Sequence, residues 1–286
     1  MLKLGKVAKS SYFYEISTYT RIDKDEDIKQ VIAEIFNHHN GRYGYPRITL
    51  ELKNLGYKIN HKKVQRIMKV LNLKAKKCKG KYKSYKGEVG KTCNNSLLDK
   101  IVDEENNKTY YKRNFETTQV NQKWSTDVSE FHISSGKLYL SPIIDMNNRE
   151  IVSYSISKSP NYNQITNMLN DAFSKYNNLE GLILHSDQGW QYQMYDYQIR
   201  LKEKGIIQSM SRKGNCLDNS PMENFFGIMK NEMFYGYEYT FNSLDELEVA
   251  MKNYIDYYNN ERIIEKLKGL SPCSYRQQSL NQLILN

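Results

Sequence analysis

Apolar residues recur at helical spacing over 23–40, where Ile28, Val31, Ile32, Ile35 and Phe36 share a face, acids fill the first turn and Gly41 follows as a stop. A second short helix is predicted from Pro46 to Gly56, with proline at its first position and glycine past its end. A third starts after Asn60, a good N-cap, and puts Val64, Ile67, Met68 and Leu71 on one face. Its opposite face carries Lys62, Lys63, Arg66 and Lys69. Helix, glycine turn, basic helix is the order of a helix-turn-helix, whose second helix enters a major groove. A plain helical hairpin with a solvated basic face fits the same pattern.

Residues 73–115 read as a connector, rich in Lys and Gly and without apolar periodicity; its tyrosines among lysines could stack on bases while the lysines neutralise phosphates. From about residue 117 the pattern changes. QKWSTDVSEFHI, KLYLSPIIDM and EIVSYSIS predict three successive strands. A helix follows over 162–176, then the strand GLILHSD, a helix over 193–204, a fifth strand IIQSMS and helical sequence from about 220 to 260. Three strands, helix, strand, helix, strand, helix is the order of the ribonuclease H-like fold, an α/β sheet with helices on both sides. The expected architecture is therefore an all-α helix-turn-helix region over 1–115, including the linker 73–115, before an α/β core over 116–286.

With 39% apolar and 26% charged residues the composition is that of a globular protein, and no run of ~18 apolar residues offers a membrane span. The opening MLKLGKVAKSSYFYEI has no continuous apolar stretch and no small-residue cleavage site, so a secretion leader is not expected. Cys78, Cys93, Cys216 and Cys273 are scattered and form no CxxC pair. That argues against a disulfide framework and a cysteine zinc site, and suits a reducing cytoplasm. The formal charge of +10 is uneven: residues 1–120 hold 26 basic and 13 acidic residues, residues 121–286 hold 16 and 19. A basic front half on a mildly acidic back half points to a polyanion docked by the first and processed by the second.

The chemistry-bearing residues are carboxylates. Asp127 falls in the first strand of the core, Asp187 just past the fourth, and Glu223 at the opening of a helix. In this fold the first and fourth strands are neighbours, which would bring the aspartates together at the end of the sheet where ligands bind. Clustered carboxylates cannot all stay ionised without cations between them, and Mg²⁺ or Mn²⁺ supply that compensation through oxygen ligands. Two such ions, ~3.5–4 Å apart, serve in-line phosphoryl transfer. Each acid also has an ordinary reading: Asp127 as a turn or edge residue, Asp187 as a turn former in SDQG, and Glu223 as the third residue of a capping box begun by Ser220.

Trp124-Ser-Thr-Asp127, His185-Ser-Asp187-Gln-Gly189 and Asp218-Asn-Ser-Pro-Met-Glu223 resemble the three signatures of the DDE transposase and retroviral integrase superfamily, and 35 residues separate Asp187 from Glu223. HSDQGWQY, SRKGNCLDNSPMENFFGIMKNE and YYNNERIIEKLKGLSP are similar to OrfB-type transposases of bacterial insertion sequences, and residues 42–75 to the helix-turn-helix before their catalytic core. The resemblance runs from about residue 10 to 278. It implies catalytic, metal-binding roles for Asp127, Asp187 and Glu223. The implied cofactor is a pair of Mg²⁺ or Mn²⁺ ions. The implied partners are duplex DNA, both terminal repeat and target. The implied reaction is hydrolysis of a phosphodiester to a 3′-OH that then attacks a second phosphodiester. It further implies a bacterial, nucleoid-associated cytoplasmic protein, at least a dimer when two DNA ends are paired. In the family such a chain is often fused by frameshifting to an upstream helix-turn-helix protein.

On the helix of Glu223, Met222, Phe226, Met229 and Met233 form the apolar stripe, while Glu223, Gly227 and Lys230 lie on another face. Gly227 would let a DNA backbone approach, and Lys230 would hold a phosphate; a solvent-exposed lysine is its ordinary reading. Asn219 is expected to orient the acid or contact a nucleotide, His185 to support the Asp187 loop, and Trp124 to sit in the core. His38 and His39 lack a CxxC partner, so no zinc is expected. Lys62, Lys63, Arg66 and Lys69 are the DNA-contacting candidates of the front half. Two rivals remain at this point, a nuclease on the same fold and a non-enzymatic DNA-binding regulator.

Overall fold

The three helices predicted in the front half form, the first two ended by glycine and the third by Asn72 (φ +54°). The computed structural model describes residues 8–19, 24–75, 92–103, 106 and 108–284. They fall into two units, Met1–Lys76 and Lys77–Asn286. In the first, α1 (Lys9–Tyr19) precedes α2 (Glu26–His38), α3 (Tyr45–Asn54) and α4 (His61–Val70). The last three bury Ile32, Ile35, Ile48, Leu52, Val64, Ile67 and Met68 against one another. Gly41 (φ +72°) and Gly56 (φ +89°) take the left-handed turns past α2 and α3, a conformation that a β-carbon disfavours. Asn60 caps α4 by accepting from the Lys62 N–H at 2.9 Å.

The Lys- and Gly-rich stretch 76–91 lies outside the described residues. Elsewhere in the expected connector the described residues include two strands. β1 (Leu98–Asp103) and β2 (Lys108–Arg113) form an antiparallel hairpin that belongs to the second unit. Its residues are mostly exposed, so there is no half-buried alternation for a sequence pattern to display.

The core sheet is built from β3 (Lys123–Thr126), β4 (Ser129–Ile133), β5 (Gly136–Asp145), β6 (Ile151–Ser157), β7 (Ile183–Ser186) and β8 (Ile207–Met210). β5 runs antiparallel to β6 on one edge and to both β3 and β4 on the other. β3 then pairs in parallel with β7, and β7 with β8. This is the predicted ribonuclease H-like order.

One detail corrects the expectation. The strand predicted through Asp127 is interrupted there, although β3 and β4 keep one register against β5. Asp127 sits in the break, where its carboxylate accepts from the Val128 N–H at 2.7 Å. A side chain that bonds the next amide competes with the ladder for that donor.

α5 (Tyr162–Lys175) and α6 (Tyr195–Glu203) accompany one hydrophobic cluster, which includes Trp124, Ile143, Met168, Leu169, Leu184 and Tyr197. α7 (Ser220–Met229) and α8 (Leu244–Asn260) share the other with Phe131, Leu138 and Leu140, and α9 (Pro272–Ile284) follows. The predicted stripe Met222, Phe226, Met229 and Met233 is buried throughout, and Trp124 is a core residue. The helical stretch expected over 220–260 is broken by a π-helical turn, Lys230–Phe234, and by the loop before Leu244. Among the described residues no helix is long and apolar enough to cross a membrane.

Candidate active site

Lys123, Trp124 and Ser125 lie opposite Ile183, Leu184 and His185 in the parallel β3–β7 pair. Continued by two residues, that register sets Asp127 level with Asp187 at the carboxyl ends of adjacent strands. Loss of water contact pushes the Asp127 carboxyl well above the usual carboxylate range, and the neighbouring charge of Asp187 pushes it further, with a smaller push from Glu223. The Val128 N–H and Lys230 act in the opposite direction. Burial also raises Asp187, against the N–H of Gly189 that donates to its Oδ1 at 2.8 Å. A β-carbon at 189 would lie 2.8 Å from the Gln191 amide and 2.9 Å from that same oxygen, so either side chain would have to shift to admit one.

The ordinary readings of these acids fare unequally. Asp187 does form the turn bond expected of SDQG. Glu223 is not placed by a capping box: Ser220 is already helical, Asn219 occupies the N-cap, and its side chain makes no cap bond. Asn219 is instead buried and spent on β3. Its Nδ2 donates to the Thr126 carbonyl at 3.1 Å and its Oδ1 accepts from the Ser125 hydroxyl. Both ends of its amide thus bond β3 and fix α7 to the strand that leads into Asp127, which favours the orienting role over the contact to a nucleotide.

His185 is fully buried, with Ser209 and Ser211 hydroxyls at 2.9 and 3.0 Å from its two ring nitrogens. Burial drives the ring down to about 4, so it is neutral and structural at physiological pH.

Glu223 and Gly227 line a cleft of about 370 Å³ together with Asn224, Lys230, Asn231 and Tyr235; neither aspartate lines it. A β-carbon at Gly227 would meet nothing within 4 Å, so this glycine faces open space. Lys230 keeps its place in the cleft but is not a free cation. Its Nζ donates to the Glu130 carbonyl at 2.9 Å and stands 4.9 Å from the centre of the Phe131 ring. Burial lowers its basicity, against the pull of Glu130 and Asp127.

Among the described residues no three acidic, His or Cys side chains converge tightly enough to encircle a metal ion. The donor chemistry nevertheless suits a hard divalent cation. The acids near Asp127 are all carboxylates, and they raise its proton affinity as uncompensated negative neighbours do.

Asp218 was missed in the sequence because it reads as a turn residue before Glu223. It is buried, and both its oxygens are taken up by charged donors. Arg113 donates to it at 2.8 Å, Arg212 through Nε and Nη2 at 2.9 Å, and Asn95 at 3.0 Å. These bonds hold its carboxyl well below the ordinary value, in spite of burial. They join the hairpin root, the loop after β8 and the turn into α7.

In the first unit α4 turns Val64, Ile67 and Met68 inward and exposes Lys62, Lys63, Arg66 and Lys69, as the pattern predicts. Lys63 lies 2.7 Å from Asp25, and Arg66 pairs with the same carboxylate.

Two models described as integrase core domain match residues 117–216 and 223–280, and one described as HTH-like domain matches 23–82. The putative transposase InsK of the Escherichia coli insertion element IS150 is 48% identical over 279 residues, 98% of this chain and 93% of that protein. A transposase-like protein of Haemophilus influenzae is 54% identical over 226 residues, covering 78% of this chain and 96% of its own length. The HTLV-2 integrase catalytic core domain in complex with magnesium is 18% identical, with a TM-score of 0.45 over 56% of this chain and 99% of that one, too loose a match to bear on the site. On the strength of its long, close relatives the chain belongs to the transposases of bacterial insertion sequences, enzymes that carry out nucleotidyl transfer on DNA with an integrase core.

Proposed function

We propose that Asp127, Asp187 and Glu223 are the catalytic carboxylates of a DDE transposase and that they hold Mg²⁺ or Mn²⁺, two ions in the working complex. The observation that carries this is the parallel β3–β7 register, which supports two acids at one level with a third bearing on the first electrostatically. The bound cations would supply Lewis acidity at the phosphate and activation of the attacking oxygen. The chain's own part is positional. Asn219 holds the start of α7 on β3, Gly189 leaves room for the Asp187 carboxylate, and Gly227 keeps the face beside Glu223 clear for a DNA backbone. Water first hydrolyses a phosphodiester at the element end, leaving a 3′-OH. That hydroxyl then attacks a target phosphodiester, forming one P–O bond as another breaks and releasing a target 3′-OH.

For the first unit, α4 is the proposed groove-entering helix, with Lys62 and Lys69 on phosphates and Lys63 and Arg66 exchanging Asp25 for phosphate on binding. Incubating the protein with a labelled duplex of the terminal repeat, with Mg²⁺ or with EDTA, tests the whole reading. Metal-dependent cleaved and joined products are expected from the wild type and none from Glu223→Gln. Cleavage without joining would make the chain a nuclease and overturn the transfer step.

A further inference from the structure

The β1–β2 hairpin has no part in the site described so far, yet its register sorts its side chains sharply. Leu98 lies opposite Arg113 and Lys100 opposite Tyr111, so these four share one face; Asp99 lies opposite Lys112, with Ile101 and Tyr110, on the other. The second face sets Asp99, which accepts from the Asn114 amide at 2.9 Å, opposite Lys112, beside the exposed Tyr110. The first is cationic and aromatic, with Lys100 and Tyr111 both exposed, Tyr111 by 54%. Arg113 at its root and Arg212 beside it share the carboxylate of Asp218, two positive charges on one negative among the described residues. Tyr111 is near enough to Arg212 to influence it electrostatically.

This face is also rigidly mounted. Arg113 donates to Asn215 at 2.9 Å as well as to Asp218, and the Ser96 N–H donates to the Ser209 hydroxyl at 2.9 Å. Asn215 and Asp218 precede Glu223 by eight and five residues in the turn that leads into α7. A polyanion lying on Lys100 and Tyr111 is thereby referenced to the segment that positions the third acid.

We propose that the Lys100–Tyr111 face of the hairpin is a docking strip for the backbone of the element-end DNA. The inference rests on the DNA-processing reading of the core. Alternating cation and exposed ring is the chemistry that recognises a nucleic-acid strand: the ammonium takes a phosphate and the ring packs on sugar or an unstacked base. Of the two DNAs in the reaction, the element end is present at both cleavage and joining. In chain order the hairpin is also the first described element after the HTH-like segment over 23–82. The strip is assigned to that DNA and not to the target.

The test measures binding of the full-length protein, in EDTA, to a terminal-repeat duplex and to a random duplex of equal length, over a range of salt. Lys100→Gln, Tyr111→Ala and the opposite-face control Lys112→Gln are compared with wild type after their melting temperatures are matched. Lys100→Gln should lower the slope of log affinity against log salt for the terminal repeat by about one. Tyr111→Ala should weaken that binding about tenfold while leaving the slope unchanged. Lys112→Gln should stay within about twofold of wild type, the expectation for a lysine whose face turns from the DNA. An equal effect of Lys112→Gln, or none of Lys100→Gln, would overturn the strip. So would a loss confined to joining of pre-cleaved ends into random DNA, which would give the face to the target. Because binding is read without metal, a wild type that binds but never cuts would count against the catalytic reading and leave the strip standing.

Discussion

Ser125 pairs with His185 across the parallel strands β3 and β7, and each stands two residues before a candidate metal-binding aspartate. The two are also fastened to different neighbours. Ser125 bonds Asn219 at the start of α7, and His185 bonds Ser209 and Ser211 in and after β8. Asp127 and Asp187 therefore stand on a base clamped from both sides, which fits a site that must hold like charges close together.

Crowding of the acids gives a first prediction with a readout beyond activity. The Asp127 carboxyl is raised, so its contribution to stability is present below its ordinary value of 3.8 and is lost as pH rises through the higher folded value. In EDTA, Asp127→Asn should melt above wild type at neutral pH, with the gap closing as the pH is lowered toward 4. Mg²⁺ should raise the melting point of wild type more than that of the variant. Cleavage by the variant should fall on the order of 10³-fold or more. A variant that melts with wild type in EDTA and gains as much from Mg²⁺ would remove Asp127 from the metal site.

Asn219 separates positioning from DNA contact. Asn219→Ala strips partners from the Ser125 hydroxyl and the Thr126 carbonyl, at a cost of about 1–3 kcal/mol in stability. Denaturant melts should show that loss. The cleavage rate should drop while affinity for the terminal repeat is held, and an affinity loss with an unchanged rate would reverse the assignment.

Gly227→Ala should move stability and activity in opposite directions. The added methyl meets nothing within 4 Å, and alanine favours a helix interior by about 0.5–1 kcal/mol. Thermal melting should improve while strand cleavage declines, because the methyl occupies the approach to Glu223. Full activity in the stabilised variant would show that DNA does not use this face.

Asp218 governs acid stability. Its folded carboxyl lies below the ordinary value of 3.8, so the stability it contributes is complete above that pH and is lost as pH falls through it toward the folded value. Asp218→Asn should cost about 2–3 kcal/mol at pH 7, below the usual figure for a broken buried pair because Arg113 and Arg212 are partly exposed. Its unfolding free energy should also vary less than that of wild type between pH 4 and 2. Parallel pH profiles for the two proteins would exclude Asp218 as the group responsible.

The sequence carried the fold where burial is periodic. The α2–α4 helices and the methionine stripe of α7 each follow from one-sided burial, while the strand order and the grouping of the three carboxylates rest on the resemblance of their motifs to a known family. What escaped it depends on partners far away along the chain. The hairpin over 98–113 is exposed and has no stripe. Asn259, whose side chain both accepts from and donates to the backbone of Ile151 at 2.9 Å, looks like a surface asparagine until the β6 start is beside it. Arg262 looks like a DNA-facing cation, yet it is buried against Glu232 at 2.7 Å, with the Tyr254 hydroxyl on the same carboxylate at 2.9 Å. Within YYNNERIIEKLKGLSP, Asn259 and Arg262 thus anchor the end of α8 internally, while Asn260 and Glu261 between them are exposed.

The bonds at Asp218 decide where this enzyme can be cut into working pieces. The integrase-core match begins at residue 117, an inviting place to excise a minimal catalytic fragment. Such a fragment would leave Asp218 buried without Arg113 and Asn95, two of the three residues that neutralise or bond it. Autonomy of the catalytic portion therefore begins upstream of that match, no later than Asn95. A shorter fragment should be soluble only with Asp218 itself replaced.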